Sequence, residues 1–206
     1  MSERMPRRRL AAADRRSQLI AVGRETFAEL GYEAATVEEI ARRAGITKPI
    51  VYGHFGGKEG LYAAVVEDEA SLVLEAISNA ISSGTPRARV TAAVLAFFRY
   101  VSDRPAGFAV LARDSPASSR YASMLAEIAD RVGGIFAEEF DRAGYDSRVA
   151  PIYARALIGM VTYVGQWWDE DRSQPVEEVA SHLAALTWMG LRHLPRRPAS
   201  LTPSET

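Results

Sequence analysis

The chain has 206 residues, of which 48% are hydrophobic and 25% are charged, and its formal net charge is −1. This composition is typical of an ordinary soluble globular protein with one sizeable core or two smaller ones. Because the chain contains no cysteine, disulfides, thiolate metal sites and cysteine nucleophiles are excluded.

The charge is unevenly distributed along the chain. Residues 1–60 carry 11 Lys+Arg against 8 Asp+Glu, whereas the remainder carries 14 against 18. Both lysines, Lys48 and Lys58, lie in the basic part. Since the charge of a domain matters more for nucleic-acid binding than the charge of the whole chain, the N-terminal part is the candidate for a DNA partner.

Residues 1–13 are predicted to be a flexible basic arm. Its Arg7–Arg9 run either reaches a phosphate backbone or minor groove, or is a solvated tail. No apolar stretch follows the arm, so we expect no signal peptide. The longest uncharged run of the C-terminal half, residues 156–168, is too short to span a bilayer. We therefore expect a soluble, cytoplasmic protein without a membrane partner.

A first helix is predicted over residues 14–30, with Asp14 as its cap and Gly31 as its end. Its buried stripe has the three-to-four spacing of a helix and consists of Leu19, Gly23, Phe27 and Leu30. A glycine inside a helix lowers the stability of the helix by about 1 kcal/mol relative to alanine. Gly23 therefore indicates a close approach by another helix.

Two short helices joined by a glycine turn are predicted between Thr36 and Lys58. Thr36 and Glu39 have the spacing of a capping box, and Gly45 ends the first helix. Thr47 can cap the second helix, roughly residues 48–55, and Pro49 fits its first turn. With the helix before them they form a three-helix head, residues 14–58. The last helix of such a head is the recognition helix of a helix-turn-helix DNA-binding domain.

The larger remainder, residues 59–194, is predicted to contain only helices, and residues 195–206 to be disordered. No strand pattern is present, so the fold class is all-α with about nine helices. The helix over residues 151–169 is apolar over a wide arc and must be covered from two sides. One of its faces carries Ala156, Met160, Tyr163 and Trp167, and the adjoining face carries Leu157, Val161, Val164 and Trp168.

The sequence contains no constellation that predicts catalysis or metal binding. His54 is distant in sequence from His182 and His193. A phosphate-binding loop ending at Lys58 would need glycine at position 52 and serine or threonine at 59, which are Tyr52 and Glu59 here. Residues 169–171 are all acidic but lie at a helix end that we expect to be solvated. We predict no enzyme activity, no catalytic residue, no metal and no cofactor.

The N-terminal motifs resemble those of the TetR (tetracycline-repressor-like) family over about a quarter of the chain. The residues that carry this resemblance are Phe27, Gly31-Tyr32, Thr36, Ile40-Ala41, Ala44-Gly45-Ile46, Thr47, Tyr52, His54-Phe55, Lys58-Glu59 and Leu61. The chain departs from the pattern at Gly23, where the family usually has alanine, and at Gly53, where members often carry a bulky contact residue. The bare Gly53 either narrows the base-reading surface or lets the backbone approach the DNA.

The resemblance implies a homodimeric, ligand-responsive transcriptional regulator. Its usual form is a repressor that a small, largely apolar effector releases from a palindromic operator. The implied phosphate contacts are Thr36, Tyr52, His54 and Lys58. The implied base-facing residues, which include a lysine able to donate to guanine and apolar surfaces for a thymine methyl group, are Thr47, Lys48, Pro49 and Ile50.

The resemblance also assigns residues 59–194 to ligand binding and dimerisation. The family's dimer interface is a four-helix bundle of the last two helices of each subunit, which implies Val161, Val164, Trp168, Val179, Leu183, Leu186 and Gly190. The implied apolar pocket lies among the aromatic residues of the middle of the chain, and its candidates are Phe97, Phe98, Phe108, Met124, Tyr163 and Trp167. An activator or an effector-independent regulator of the same fold remains an alternative, and an all-helical enzyme is a weaker one.

Overall fold

The computed structural model describes residues 12–112 and 118–194, and the side chains of residues 118–125 and of Glu127 lie outside the described part. Every regular element in these two stretches is helical, which confirms the all-α prediction. The elements are α1 (Ala12–Ala34), α2 (Val37–Ala44), α3 (Lys48–Phe55), α4 (Lys58–Ala80), α5 (Pro86–Asp103), α6 (Pro105–Ala112), α7 (Ser118–Ala143), a single 3-10 turn (Ser147–Val149), α8 (Ala150–Asp171) and α9 (Val176–Arg192). Nearly all of the predicted basic arm and the whole predicted tail fall outside the described residues.

The described helices belong to two compact units. The first contains residues 12–71, 106–112 and Ser118, and the second contains residues 72–105 and 119–194. The first unit therefore includes the predicted three-helix head, the first part of α4 and most of α6. Helix α4 contributes residues to both units.

The core of the first unit is built on one stripe of α1. Leu19 and Phe27 are buried there, together with Ile40 of α2 and Val51 of α3. Gly23 is also buried, and a Cβ atom added to it would lie 3.2 Å from the side chain of Leu61 on α4. The close helix approach predicted from this glycine is confirmed.

Helix α1 begins earlier than predicted, and it is interrupted at Gly31, where its end was predicted. It begins at Ala12, so Asp14 lies in the first turn rather than at the cap. Gly31 has φ 75° and ψ 166°, values that suit glycine, and breaks the helix. Leu30, which we expected in the buried stripe and which directly precedes this break, is exposed.

In the second unit, α5 packs against α8 and α9. Phe98 is fully buried, and its ring centroid lies 6.1 Å from that of Trp168 on α8. Arg172, the residue after α8, donates hydrogen bonds to the carbonyls of Val101 at 3.2 Å and Ser102 at 3.3 Å, in the last turn of α5. A cation is favourable at the C-terminus of a helix, so Arg172 ties the ends of α5 and α8 together.

Candidate nucleic-acid interface

Helix α2 begins as the sequence predicts. The backbone N–H of Glu39 donates to the hydroxyl of Thr36 at 3.2 Å, so threonine is the N-cap. The carboxylate of Glu39 is engaged by Arg42 at 2.6 and 2.8 Å and by Arg43 at 2.6 Å. These two arginines lower the pKa of Glu39 to about 2, because hydrogen bonds from guanidinium groups favour the charged carboxylate.

The turn between α2 and α3 is fixed by glycine geometry. Gly45 adopts φ 66° and ψ 35°, and the N–H of Ile46 donates to the carbonyl of Ala41 at 3.0 Å. This pattern closes the end of α2 and directs the chain into α3. Thr47 occupies the N-cap position of α3 as predicted, but its side chain makes no capping hydrogen bond, and Pro49 lies in the first turn.

Helix α3 turns one side into the core and leaves a broad side open. Val51 is fully buried and anchors the helix. Nearly all the residues predicted to contact DNA on or next to α3 are exposed, namely Thr47, Lys48, Pro49, Ile50, Tyr52 and Gly53. Thr36 is exposed at the start of α2, and His54 is half-buried. The turn geometry thus presents the start of α3, with a lysine and apolar groups, to the solvent.

Lys48 has an intramolecular partner at this surface. Its Nζ donates a hydrogen bond to a carboxylate oxygen of Glu38, the second residue of α2. The side chains of the lysine and the glutamate are 51% and 59% exposed. Lys48 also lowers the pKa of Glu38 through this hydrogen bond. The sequence reasoning did not predict the pair, since the two residues are ten positions apart and meet only through the turn.

Lys58, predicted as a phosphate contact, also has partners within the chain. Its Nζ donates to the carbonyls of Tyr32 at 2.9 Å and Glu33 at 3.2 Å, and it lies 4.4 Å from the centre of the Tyr32 ring. It therefore ties the start of α4 to the chain that follows the break in α1. A lysine has three N–H donors, so a phosphate contact remains chemically open to it.

The C-terminal end of α3 is packed closely onto the start of α4. Gly56 and Gly57 have φ 73° and 139°, and the ring of Tyr52 lies 3.5 Å from the position that a Cβ of Gly57 would take. A Cβ added to Gly60 would overlap the backbone carbonyl oxygen of Phe55. The sequence reasoning did not single out Gly60, although it fixes how α3 meets α4.

The predicted dimer-interface residues are distributed over two environments. Val161, Trp168, Val179 and Leu183 are buried within the chain, and Val164 is half-buried. Leu186 is 62% exposed, and Gly190 is exposed as well. The large apolar side chains of Ile152 and Met189, which we did not predict as site residues, are also exposed on α8 and α9.

The predicted pocket residues do not share one environment either. Phe98 is buried beside Trp168, Phe97 is half-buried, and Phe108 is buried in the first unit. Tyr163 is 76% exposed and Trp167 is 49% exposed. The side chain of Met124 lies outside the described residues.

A groove of about 470 Å³ lies between the second half of α4 and α5. Its wall is mainly small and apolar, and one end carries charged side chains. The lining residues differ from the predicted ones and are Leu72, Ala76, Ala80, Ala92, Leu95, Ala96, Arg99, Tyr100, Asp103 and Arg104.

The described residues offer neither a metal site nor a membrane span. Across residues 12–112 and 118–194, no group of three or more histidine and acidic side chains could hold a metal ion. In the same part of the chain, no helix is both long and apolar enough to cross a membrane. At the acidic end of α8, Asp169 accepts hydrogen bonds from Arg172, and Asp171 accepts one from Ser173.

The fold and the open face of α3 define a class of protein, a helix-turn-helix DNA-binding regulator. A family model described as "Bacterial regulatory proteins, tetR family" matches residues 19–65. A second model, "Tetracyclin repressor-like, C-terminal domain", matches residues 86–190. The chain belongs to the TetR family of transcriptional regulators, which confirms the resemblance found in its N-terminal motifs.

Relatives of known name agree with this membership. The transcriptional activator FasR of Mycolicibacterium smegmatis is 28% identical over 194 residues, which cover 91% of this chain and 87% of that protein. The transcriptional repressor AcnR of Corynebacterium glutamicum is 34% identical over 73 residues, or 34% of this chain and 39% of AcnR. A crystal structure of a TetR-like transcriptional regulator from Rhodococcus sp. RHA1 is similar with a TM-score of 0.74 and 26% identity, covering 93% of this chain and all of that one.

Proposed function

We propose that the protein is a homodimeric transcriptional regulator that binds a palindromic operator through α3 and responds to a small, largely apolar effector. The single observation that supports operator binding is the exposed start of α3. Lys48, Pro49 and Ile50 are exposed there, and so are the phosphate-contact candidates Thr36 and Tyr52. Phosphate contacts would position the head on the duplex, and base contacts would select the sequence.

The experiment that tests operator binding is an electrophoretic mobility shift with the DNA upstream of the protein's own gene. Tyr52→Ala should weaken binding about uniformly across sequences, because a phosphate contact carries no base information. Ile50→Ala should change the preferred sequence instead. A Tyr52→Ala protein that folds normally and binds the operator as tightly as the wild type would contradict the assignment.

The proposed dimer is supported by an exposed apolar stripe on the last two helices. On α8 the stripe repeats every three or four residues and consists of Ile152, Ala156, Gly159, Tyr163 and Trp167. On α9, Leu186 and Met189 are exposed as well. Large apolar side chains grouped on one surface indicate a protein interface. We therefore assign Tyr163 and Trp167 to the interface rather than to the pocket, and we assign Val161 and Trp168 to the core of each chain.

A twofold dimer would present two α3 helices to the DNA. Such a pair reads half-sites about 34–36 Å apart, or a multiple of one helical turn, so the operator should be an inverted repeat. The search for such a repeat beside the gene is therefore a direct check of the dimer as well as of the DNA contact.

The proposed effector site is the groove between α4 and α5. Its four alanines leave room for an apolar ligand, and such a lining with a few polar groups is typical of small-molecule sites. Native mass spectrometry of the purified protein should show a bound small molecule. Ala96→Phe, which fills the groove, should release it, and operator affinity should then no longer respond to the added molecule.

The direction of regulation has two candidates. A repressor is the usual form of the family and is our first proposal. An activator is favoured by one observation, the similarity to FasR over almost the whole chain, whereas the similarity to AcnR covers only about a third of it. A reporter gene placed behind the operator distinguishes the two, since deletion of the regulator raises expression in the first case and lowers it in the second.

A further inference from the structure

The ion pair between Glu38 and Lys48 lies open at the start of α3. It joins the first turn of α2 to the first residue of α3, and both side chains are more than half exposed. The other ion pairs of α2 are those of Arg42 and Arg43 with Glu39 and of Arg43 with Glu29 of α1. They differ because each contains a side chain that is only 25% exposed. Exposed pairs contribute little to stability. A further partner can therefore approach Lys48 at little cost to the stability of the fold.

The chemistry of the pair favours a base over a phosphate as the further partner of Lys48. An ammonium group has three N–H donors, so one hydrogen bond to Glu38 leaves two. Two donors suffice for the O6 and N7 acceptors of guanine in the major groove. A phosphate also offers acceptor oxygens to Lys48, but its negative charge is repelled by the Glu38 carboxylate, whereas a guanine edge carries no net charge.

We propose that Glu38 is a positioning residue for DNA specificity, which aims Lys48 at a guanine edge and lowers the affinity of the same lysine for backbone phosphates. This inference rests on the proposed contact between the start of α3 and the major groove. It assigns a role to an acidic residue next to the DNA surface, where negative charge otherwise weakens binding.

The test compares full-length wild type with Glu38→Gln, Lys48→Gln and the double variant. Glu67→Gln is the matched control, because it removes the same charge from an exposed position of α4 in the same unit. The probes are an operator duplex selected by the wild type from a random-sequence pool, and a scrambled duplex of the same length. Fluorescence anisotropy gives the Kd for each duplex over a series of salt concentrations.

Glu38→Gln should bind the scrambled duplex about five-fold more tightly, because one cation becomes available to phosphate and one repulsive charge is removed. Its plot of log affinity against log salt should steepen by about 0.9, the value for one additional phosphate contact. Affinity for the operator should rise less or fall, so the ratio of specific to non-specific affinity drops. Sequences selected by Glu38→Gln should lose one preferred guanine.

The outcomes separate two claims, the positioning role of Glu38 and the contact of Lys48 with a base. If Glu38→Gln behaves like Glu67→Gln, or keeps its effect when Lys48 is already glutamine, Glu38 does not act through Lys48 and the inference is wrong. If Lys48→Gln leaves both affinities unchanged, the proposed base contact itself fails. Glu38→Asp keeps the carboxylate, so it should retain most of the wild-type ratio of specific to non-specific affinity. It is the control for a loss of specificity that is caused only by unfolding.

Discussion

Arg24 of α1 and Glu69 of α4 form an ion pair inside the first unit. Arg24 Nη1 lies 3.0 Å from Glu69 Oε1, and the glutamate side chain is fully buried whereas the arginine is partly exposed. Burying a carboxylate is costly unless it is paired, so this contact fixes α1 against α4. The same arginine also reaches the exposed Glu25 at 3.2 Å.

We expect Arg24→Met to lower the free energy of unfolding by about 3 kcal/mol, because it removes a hydrogen-bonded cation from the buried Glu69 carboxylate. Arg24→Met combined with Glu69→Leu should recover much of that loss. Urea denaturation followed by circular dichroism measures the free energy of unfolding of both variants. Glu25→Gln is the control and should change stability by less than about 0.5 kcal/mol, as is usual for a surface pair. A loss of similar size in Glu25→Gln would contradict the assignment.

Substitution by alanine should have opposite effects on stability at Gly53 and Gly60. Gly53 lies within α3 with open space around its Cβ position, so Gly53→Ala should gain up to about 1 kcal/mol of helix stability. Gly60→Ala should destabilise the protein, because the new Cβ would overlap the Phe55 carbonyl oxygen. Thermal unfolding compares the two. Equal effects of both substitutions would show that the close packing of α3 on α4 is not a constraint.

The Glu39 cluster should make part of the stability depend on pH. The pKa of Glu39 is lowered from 4.5 to about 2 by Arg42 and Arg43. Because its pKa is lowered, the charged Glu39 carboxylate contributes fully to the free energy of unfolding above about pH 4.5. This contribution is lost as the pH falls towards 2. Glu39→Gln should therefore be less stable than the wild type at pH 6, with a difference that shrinks at pH 3. Urea denaturation at both pH values measures this difference in stability. A difference that is the same at both pH values would contradict the prediction.

A charge on the exposed stripe of α8 and α9 should separate the proposed dimer. Tyr163→Glu and Leu186→Glu each place a carboxylate where we expect an apolar contact, so both variants should sediment as monomers in analytical ultracentrifugation. Thr91→Glu, an exposed position of α5, should remain a dimer. If the wild type is itself monomeric at micromolar concentration, the stripe does not form the proposed interface.

The local features of the head could be predicted because they depend on neighbours in sequence. Thr36 caps α2, and Gly45 ends it, as their residue types and spacing indicate. The partners of Lys48 and Lys58 could not be predicted in this way. Glu38 and the carbonyls of Tyr32 and Glu33 reach these lysines only after the chain has turned back on itself.

The two apolar faces of α8 show a different limit of sequence reasoning. The pattern separates the face of Tyr163 and Trp167 from the face of Val161 and Trp168, and it predicts that both need cover. Both faces are equally apolar, so periodicity cannot decide which one packs within the chain. The structure buries Val161 and Trp168 and leaves Tyr163 and Trp167 exposed.

The close packing at Gly60 has a mechanical consequence for the recognition helix. The Phe55 carbonyl at the end of α3 occupies the space where a side chain of residue 60 would begin, so the first turn of α4 lies directly against the end of α3. We therefore expect a rotation of α4 about its own axis to turn α3 with it.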